Sequence, residues 1–530
     1  MKNFGQQFFD KRLWWVMLGL LLTHVVAALT QTSAWSWLPL GVIAILAVYL
    51  SSKKLEWGLA LAFLEIFVGG HGHLIDVSVS GFSLSVREVL FGVVMAVWAI
   101  QVAQGRVRPK FVAHRDLPLL VLGIAVVLGT VVGFAQNAAG NAFDDMNGYF
   151  TLLYFFPFIS ITWTNDNRRL FLQMFAVAAA WVGITTLVYL YAFTHLPGLA
   201  SHELYTFVRD ARLAEVTLLT SGRGLQLLGN SPWYFRIFEQ SQAISVGFEL
   251  LLLAATFFLW REPQEKLPKG VWAMHLLMIA TILASLSRSF WMGSVAAFGL
   301  ILILICVSRP RVVVLMKRHV QLGVTTLIAV LTLFLLVAAP LPPRPDLSES
   351  SFYKGKDDNT RVVAVSSRWN LLGPMVSEIR AHPLLGSGFG EEVTYISDDP
   401  RLRAINPTGE VTTYRFEWGY HDLWLKMGIL GLFGFGWFFV TVVSIAFESV
   451  HRRDAQAWIT VGLTAGLVML FVANIFSPYL NHPIGLGYML FLLPFLPWEA
   501  VRKPEQAVEP VPRQAFSLKA AAPSVAYKQN

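Results

Sequence analysis

Two residue types in this chain stand where membrane physics disfavours them and where they can act together: arginines at the ends of apolar runs, and one histidine beside them. From Val271 to Val307 the sequence is one apolar run, broken mainly by His275 and by Arg288 near its middle. A cation within a membrane costs roughly 2.5–3.5 kcal/mol on insertion scales, so Arg288 needs a reason; the plain alternative is an interfacial arginine that snorkels and does nothing more. Two long polar segments carry Arg209, Arg212, Arg223, Arg236, Arg344, Arg361, Arg368, Arg380, Arg401, Arg403 and Arg415, with Lys354 and Lys356 the clear lysines. Either cation serves topology, but guanidinium alone offers a planar fork that grips phosphate with two hydrogen bonds. Any single arginine is adequately explained by pairing with a loop carboxylate; the set points to an anionic ligand. His421, in EWGYHDLWLKMGILGLFG (417–434), stands where the second polar segment enters an apolar one. A helix amino terminus favours neutral imidazole, a competent general base near pH 7. An interfacial histidine without chemistry is the alternative. A base beside guanidinium groups suits transfer to a hydroxyl from a phosphate leaving group.

The elements that must position these residues follow from hydropathy. Of 530 residues, 55% are hydrophobic and only 14% charged, against about 25% charged in soluble proteins. The mean hydropathy is +0.56. An all-α polytopic membrane protein is expected, with about fourteen segments near the length a span needs: 13–30, 36–50, 55–69, 84–102, 117–134, 149–163, 170–193, 243–260, 271–286, 289–307, 320–339, 423–447, 457–476 and 484–498. With the amino terminus inside, every inner loop is basic, from Lys53 and Lys54 through Arg309, Arg311, Lys317 and Arg318 to Arg502 and Lys503. That parity puts both termini in the cytoplasm and both long loops outside. It also makes Arg288 the tip of a tight helical hairpin at the outer face. The net charge of +8 is scattered in small topological clusters, which excludes a nucleic-acid stripe. Leu13–Leu29, after Lys2, Lys11 and Arg12, reads as a retained first span, not a signal peptide. The single cysteine, Cys306, excludes an intrachain disulfide and a CxxC zinc site.

The chain is therefore expected to divide into an amino-terminal transmembrane bundle (1–193), a first large periplasmic loop (194–242), helices with the Arg288 hairpin (243–339), a second large periplasmic loop (340–422), carboxyl-terminal spans (423–498) and a disordered cytoplasmic tail (499–530) rich in Ala, Pro, Gln and Lys. Within the second loop, SSRWNLLGPMVSEIRAHP (366–383) predicts a helix lying on the membrane, capped by Ser366 or Ser367 and kinked at Pro374. Its apolar face would be Trp369, Leu372, Met375, Val376 and Ile379. Gly386, Gly388 and Gly390, which follow no strand and open no helix, read as a mobile loop and not as a dinucleotide fingerprint.

Three stretches together, SRSFWMG, RWNLLGPMVSEIRAHPLLGSGFG and YHDLWLKMGILGLFG, resemble the bacterial O-antigen ligase and polymerase superfamily, integral membrane glycosyltransferases of the GT-C type. The resemblance covers roughly residues 243–447; GRGLQLLGNSPWYF is a weaker fourth element. It implies transfer of a glycan from a polyprenyl-pyrophosphate carrier to an acceptor hydroxyl at the periplasmic face of the bacterial inner membrane. His421 would be the base, and Arg288, Arg368 and Arg223 would bind the pyrophosphate. Arg380, Arg236, Glu65 and Asp422 are candidates to support them. Members often carry Asn after the histidine where this chain has Asp422, which touches the acceptor contacts and not the base. The implied partners are the lipid-linked oligosaccharide donor, a saccharide acceptor, the bilayer and a polysaccharide chain-length regulator; no cofactor and no metal is implied.

Other readings stay in view. Asp144, Asp145, His71, His73 and Asp76 are alternatives as metal ligands, although adjacent acids and HxH in a loop are commonly just solvated. Glu65, inside the third span, is either functional or paired with an arginine such as Arg87. Trp233, Tyr234, Trp418 and Tyr420 fit an interfacial belt or sugar stacking. A polymerase of surface polysaccharide is favoured by span count and loop size, with a ligase acting on lipid A core as the alternative. A lipid-linked oligosaccharide flippase is the competing class, but charge along a central cavity and repeated halves, expected of a transporter, are not what the sequence displays.

Overall fold

A computed structural model describes residues 11–30, 35–79, 82–196, 198–219, 234–260, 265–308, 311–339, 358–404 and 406–498. Arg223, Trp233 and the tail from 499 lie outside them. Apolar sequence becomes helix because backbone groups in lipid must be satisfied within the segment. The first helices are α1 (Lys11–Thr30), α2 (Trp37–Lys53) and α3 (Leu55–Val68), then the hairpin β1 (Asp76–Val79) and β2 (Phe82–Ser85). There follow α4 (Val86–Ala103), α5 (Ala113–Gln136), α6 (Ala139–Met146), a 3-10 stretch (Asn147–Tyr154), α7 (Phe155–Ser160), α8 (Asn165–His195) and α9 (Gly198–Asp210). The hairpin β3 (Glu215–Leu219) and β4 (Tyr234–Phe238) precedes α10 (Gln242–Leu259), α11 (Lys269–Ser285), α12 (Arg288–Ser308) and α13 (Val312–Ala338). Last come α14 (Asp358–Ala381), β5 (Val393–Ile396), the short α15 (Pro400–Arg403), β6 (Glu410–Thr413), α16 (Gly419–His451), α17 (Ala457–Ala473) and α18 (Pro483–Leu492).

Among the described residues eight helices, α1, α4, α5, α8, α10, α12, α13 and α16, are long and apolar enough to cross a membrane alone; the apolar α2, α11, α17 and α18 are shorter. The multi-pass helical architecture expected from composition holds. α10 is buried along almost its whole length and packs on α8, α11 and α17, while α5 packs along α16. α1 and α13 lie at the periphery and expose Trp14, Leu29, Val320 and Leu327, as a lipid-facing surface requires. Two polar devices tie the bundle internally. His275 Nδ1 lies 2.8 Å from Glu249 Oε1 and Nε2 lies 3.0 Å from Thr256 Oγ1. Buried Arg318 donates to the carbonyls of Trp260 at 3.2 Å and Glu265 at 3.1 Å.

Several expectations are corrected. Residues 149–163 are not one α-helical span. A 3-10 stretch leads into the six-residue α7, and its rise of about 2.0 Å per residue covers more distance per residue than an α-helix. Three two-stranded antiparallel hairpins occur among the described residues, where only helices and loops were expected. α14 starts at Asp358, so neither Ser366 nor Ser367 caps it, and it runs through Pro374 without a break. Its buried face is Leu371, Met375 and Ile379, packed on Val393, Phe416, Trp418 and Leu425, so protein and not membrane covers it. Trp369 is left 57% exposed.

The glycine segment is the sharpest correction. Residues 386–390 are buried and bonded to two helices. Ser387 N donates to Leu425 O at 2.7 Å and Phe389 N to Gly129 O at 3.0 Å. Asn137 Nδ2 donates to the carbonyls of Ser387 at 3.1 Å and Phe389 at 2.9 Å. Backbones approach so closely that a Cβ on Gly388, whose φ is +83°, would lie 2.3 Å from Gly133 N. A segment clamped this way is not the mobile loop its glycines suggested.

Candidate functional site

The start of α16 brings His421 into place. Trp418 precedes the helix, and its indole Nε1 donates to Arg368 O at 2.9 Å. Gly419 lies against Asn474, where a Cβ would meet the Asn474 carbonyl at 2.2 Å. Tyr420 donates its hydroxyl to Phe471 O at 2.7 Å. His421 itself is half-buried in the first turn, with its ring centroid 6.2 Å from that of Trp418. The next residue, Asp422, is fully buried and accepts from Asn481 Nδ2 at 2.6 Å. Lys426 Nζ, also buried, sits 2.5 Å from Asp422 Oδ1 and 2.5 Å from Asp145 Oδ1. Asp145 Oδ2 in turn accepts from Gly390 N at 2.9 Å. The turn bearing His421 is thus bolted to α6, to the glycine segment and to residue 481.

Arg288 is the first residue of α12, at the tip of the α11–α12 hairpin. The hairpin turns through Leu286, a left-handed residue with φ +47°. Arg288 is exposed and has no hydrogen-bond or ion-pair partner among the described residues. Its neighbours are fixed: Ser477 Oγ donates to Ser289 Oγ at 3.3 Å, and the ring of Phe290 lies 5.5 Å from that of Tyr479. Arg236, on β4, donates Nε to Ser285 O at 2.9 Å, so it closes the carboxyl end of α11 instead of standing free.

Arg368 on α14 is exposed and forms an ion pair with Glu417. Burial pushes the Glu417 carboxyl above its ordinary range and Glu215 adds to the rise, while Arg368 pulls it down. Trp418 touches both Trp369, at 4.8 Å between centroids, and Phe476, at 5.6 Å. Residues 474–481 therefore form a common floor: Ser477 and Tyr479 meet the turn of Arg288, and Phe476 and Asn481 meet the turn of His421. Asp422 touches it directly, Ser289 and Phe290 carry the contact next to Arg288, and Trp418 links it to Arg368 and His421. Arg380 lies apart. It is exposed near the other end of α14, about 18 Å along the helix from Arg368 at 1.5 Å per residue. Glu65 is held elsewhere, by a two-pronged fork from Arg87 at 2.9 and 3.1 Å, the plainer of its two expected roles.

The alternative metal ligands are engaged by cations. Asp145 belongs to Lys426; Asp144 meets Arg415 at 3.5 Å and accepts from Tyr414. His73 lies between Asp76 and Arg212, 3.3 Å from each. Desolvation, then the charges of Arg87, Arg212, His73 and Arg415, hold His71 down at about 4. Sequence reasoning missed Lys426, Asp145 as its partner, and Asn481. A lone lysine in LWLKMGILG was the available signal for the first. It also missed Glu239, which is buried beside Thr186 and pushed up by burial to about 8.

Residues 273–436 match the family model described as O-antigen ligase. The match runs from α11 into α16 and takes in Arg288, Arg368 and His421. No curated protein matches the chain. The match, over less than a third of the chain, supports the O-antigen ligase and polymerase superfamily and points to surface-polysaccharide assembly with lipid-linked saccharide substrates.

Proposed function

We propose that this protein is a glycosyltransferase that moves a glycan from a polyprenyl-pyrophosphate carrier to an acceptor hydroxyl, most simply as a polysaccharide polymerase. In this reading the floor at 474–481 faces the periplasm, the chain crosses the inner membrane fourteen times, and both termini are cytoplasmic. The acceptor oxygen forms a bond to the anomeric carbon while the bond from that carbon to the diphosphate oxygen breaks. The electron pair leaves with the polyprenyl diphosphate, and the hydroxyl proton passes to His421. Developing charge on the diphosphate is borne by guanidinium groups fixed in advance, as electrostatic stabilisation requires. Arg288 offers its whole fork. Arg368 exchanges Glu417 for a phosphoryl oxygen, and Arg223 is the third member of the set.

The observation that carries this reading is that one segment, 474–481, packs against both the turn that bears the unpaired Arg288 and the turn that bears the half-buried His421. Its test is transfer by purified protein given lipid-linked repeat units. His421→Ala should lower the rate by about 10²–10⁴, and Arg288→Lys should impair it because a point charge cannot form the fork. A wild-type rate in His421→Ala removes the base from the mechanism. The printed description of the family favours a second reading, a ligase whose acceptor is lipid A core. Repeat units supplied alone give a product ladder if the enzyme polymerises, and nothing if it only ligates.

A further inference from the structure

We infer that Tyr479 is a substrate-binding residue of this site, its hydroxyl donating a hydrogen bond to a phosphoryl oxygen of the lipid-linked donor; the inference rests on the function proposed above. Tyr479 is 4% exposed, and its hydroxyl has no hydrogen-bond partner among the described residues. A buried, unmade hydrogen bond costs about 1–3 kcal/mol, and buried tyrosine hydroxyls usually find a partner. Tyr420, Tyr488 and Tyr479 make the contrast within this one protein. The first donates to Phe471 O at 2.7 Å and the second to Leu463 O at 3.0 Å; Tyr479 donates to nothing, as does Tyr149 on the 3-10 stretch, and of these two it is Tyr479 whose ring meets the turn of Arg288. For packing alone phenylalanine would do better at 479.

Position says what the hydroxyl is for. The ring of Tyr479 lies against Phe290, two residues from Arg288, and its backbone N donates to Ser477 O, in the residue that bonds Ser289. The charges of Glu215 and Arg236 both reach it. Tyr479 therefore packs on the same helical turn that carries Arg288, and lies on the segment that also anchors Asp422 beside His421. A diphosphate held by Arg288 brings acceptor oxygens and no donors of its own, which is the complement an orphaned O–H lacks.

The experiment compares wild-type and Tyr479→Phe full-length protein in lipid nanodiscs, with sugar-free polyprenyl diphosphate as the probe. Because the hydroxyl is unpaired in the free protein, Tyr479→Phe should leave the unliganded thermal midpoint unchanged or raise it. It should weaken binding of the probe about 10- to 100-fold, as loss of a hydrogen bond to a charged group does, and lower transfer in step. Unchanged affinity with unchanged transfer overturns the inference. So does a lower unliganded midpoint with intact binding, since the hydroxyl would then be structural. Failure of the wild-type protein to bind the probe at all is a different result, and it overturns the donor chemistry itself.

Discussion

Lys426→Met is the most informative perturbation of the site's support. Each Nζ–Oδ contact at 2.5 Å corresponds to about 7 kcal/mol of Coulomb attraction at an effective dielectric of 20. Two carboxylates sharing one ammonium lie at most about 5 Å apart and repel each other by about 3 kcal/mol on the same scale. Desolvation of three buried charges offsets much of the attraction. Removing the ammonium leaves that repulsion uncompensated, so the loss belongs at the upper end of the range for breaking a buried pair, about 5 kcal/mol. Asp422→Asn should be far milder, about 1 kcal/mol or less. It keeps an acceptor for Asn481, removes the repulsion and leaves Lys426 with Asp145 alone. Added to Lys426→Met, it should recover about 2 kcal/mol, because one orphaned charge then remains instead of two. Equilibrium unfolding in mixed micelles, followed by tryptophan fluorescence, measures all three variants. If Lys426→Met proves no less stable than Asp422→Asn, or if the double variant is the weakest, the charge ledger drawn here is wrong.

Glu239 has its ordinary value of 4.5 raised to about 8 by burial, so the folded state holds a proton that the unfolded chain releases near pH 4.5. Its ionisation therefore weakens the fold progressively as pH rises from about 4.5 to 8, and the gain in thermal midpoint from Glu239→Gln should be small at pH 5 and largest at pH 8 and above. Gly388→Ala should destabilise by about 3 kcal/mol or more, from positive φ and a backbone clash, visible as loss of folded protein on size exclusion. Arg87→Lys should cost about 1–2 kcal/mol in unfolding, since lysine cannot reproduce the fork on Glu65 and the added bond to Gly70 O.

Much of this was legible because the strongest signals are local. Runs of apolar residues and the lone cation at Arg288 require no knowledge of neighbours, and the hairpin tipped by Arg288 followed from the length of the run and the basic residues that flank it. The strands were not legible: Val393–Ile396 and Glu410–Thr413 are four residues each, in polar loops where alternation is too short to read. The glycine segment was misjudged for a physical reason. Gly386, Gly388 and Gly390 permit motion in isolation, yet their lack of side chains is what lets this backbone press into Gly129 and Gly133. Lys426 was passed over because it sits in an apolar run and one of the two carboxylates that neutralise it, Asp145, comes from far away in sequence. Asp422, where the resemblance leads to an expectation of Asn, pairs with Lys426 in the structure.

One feature of α16 has a mechanical meaning. Gly428 departs from helical geometry, with φ +62° and ψ −165°, and at that break Ile429 N turns to Pro383 O at 3.1 Å. The helix is thus two rods meeting at a packed break, where a Cβ on Gly428 would lie 2.1 Å from Leu384 O. The short upper rod, with His421, is riveted to neighbouring protein, while the long lower rod meets the lipid. With Leu384 and Gly386 packed into the break and α5 and α17 along the long rod, the bend is a fixed elbow that sets the angle at which the rod bearing His421 leaves the bundle.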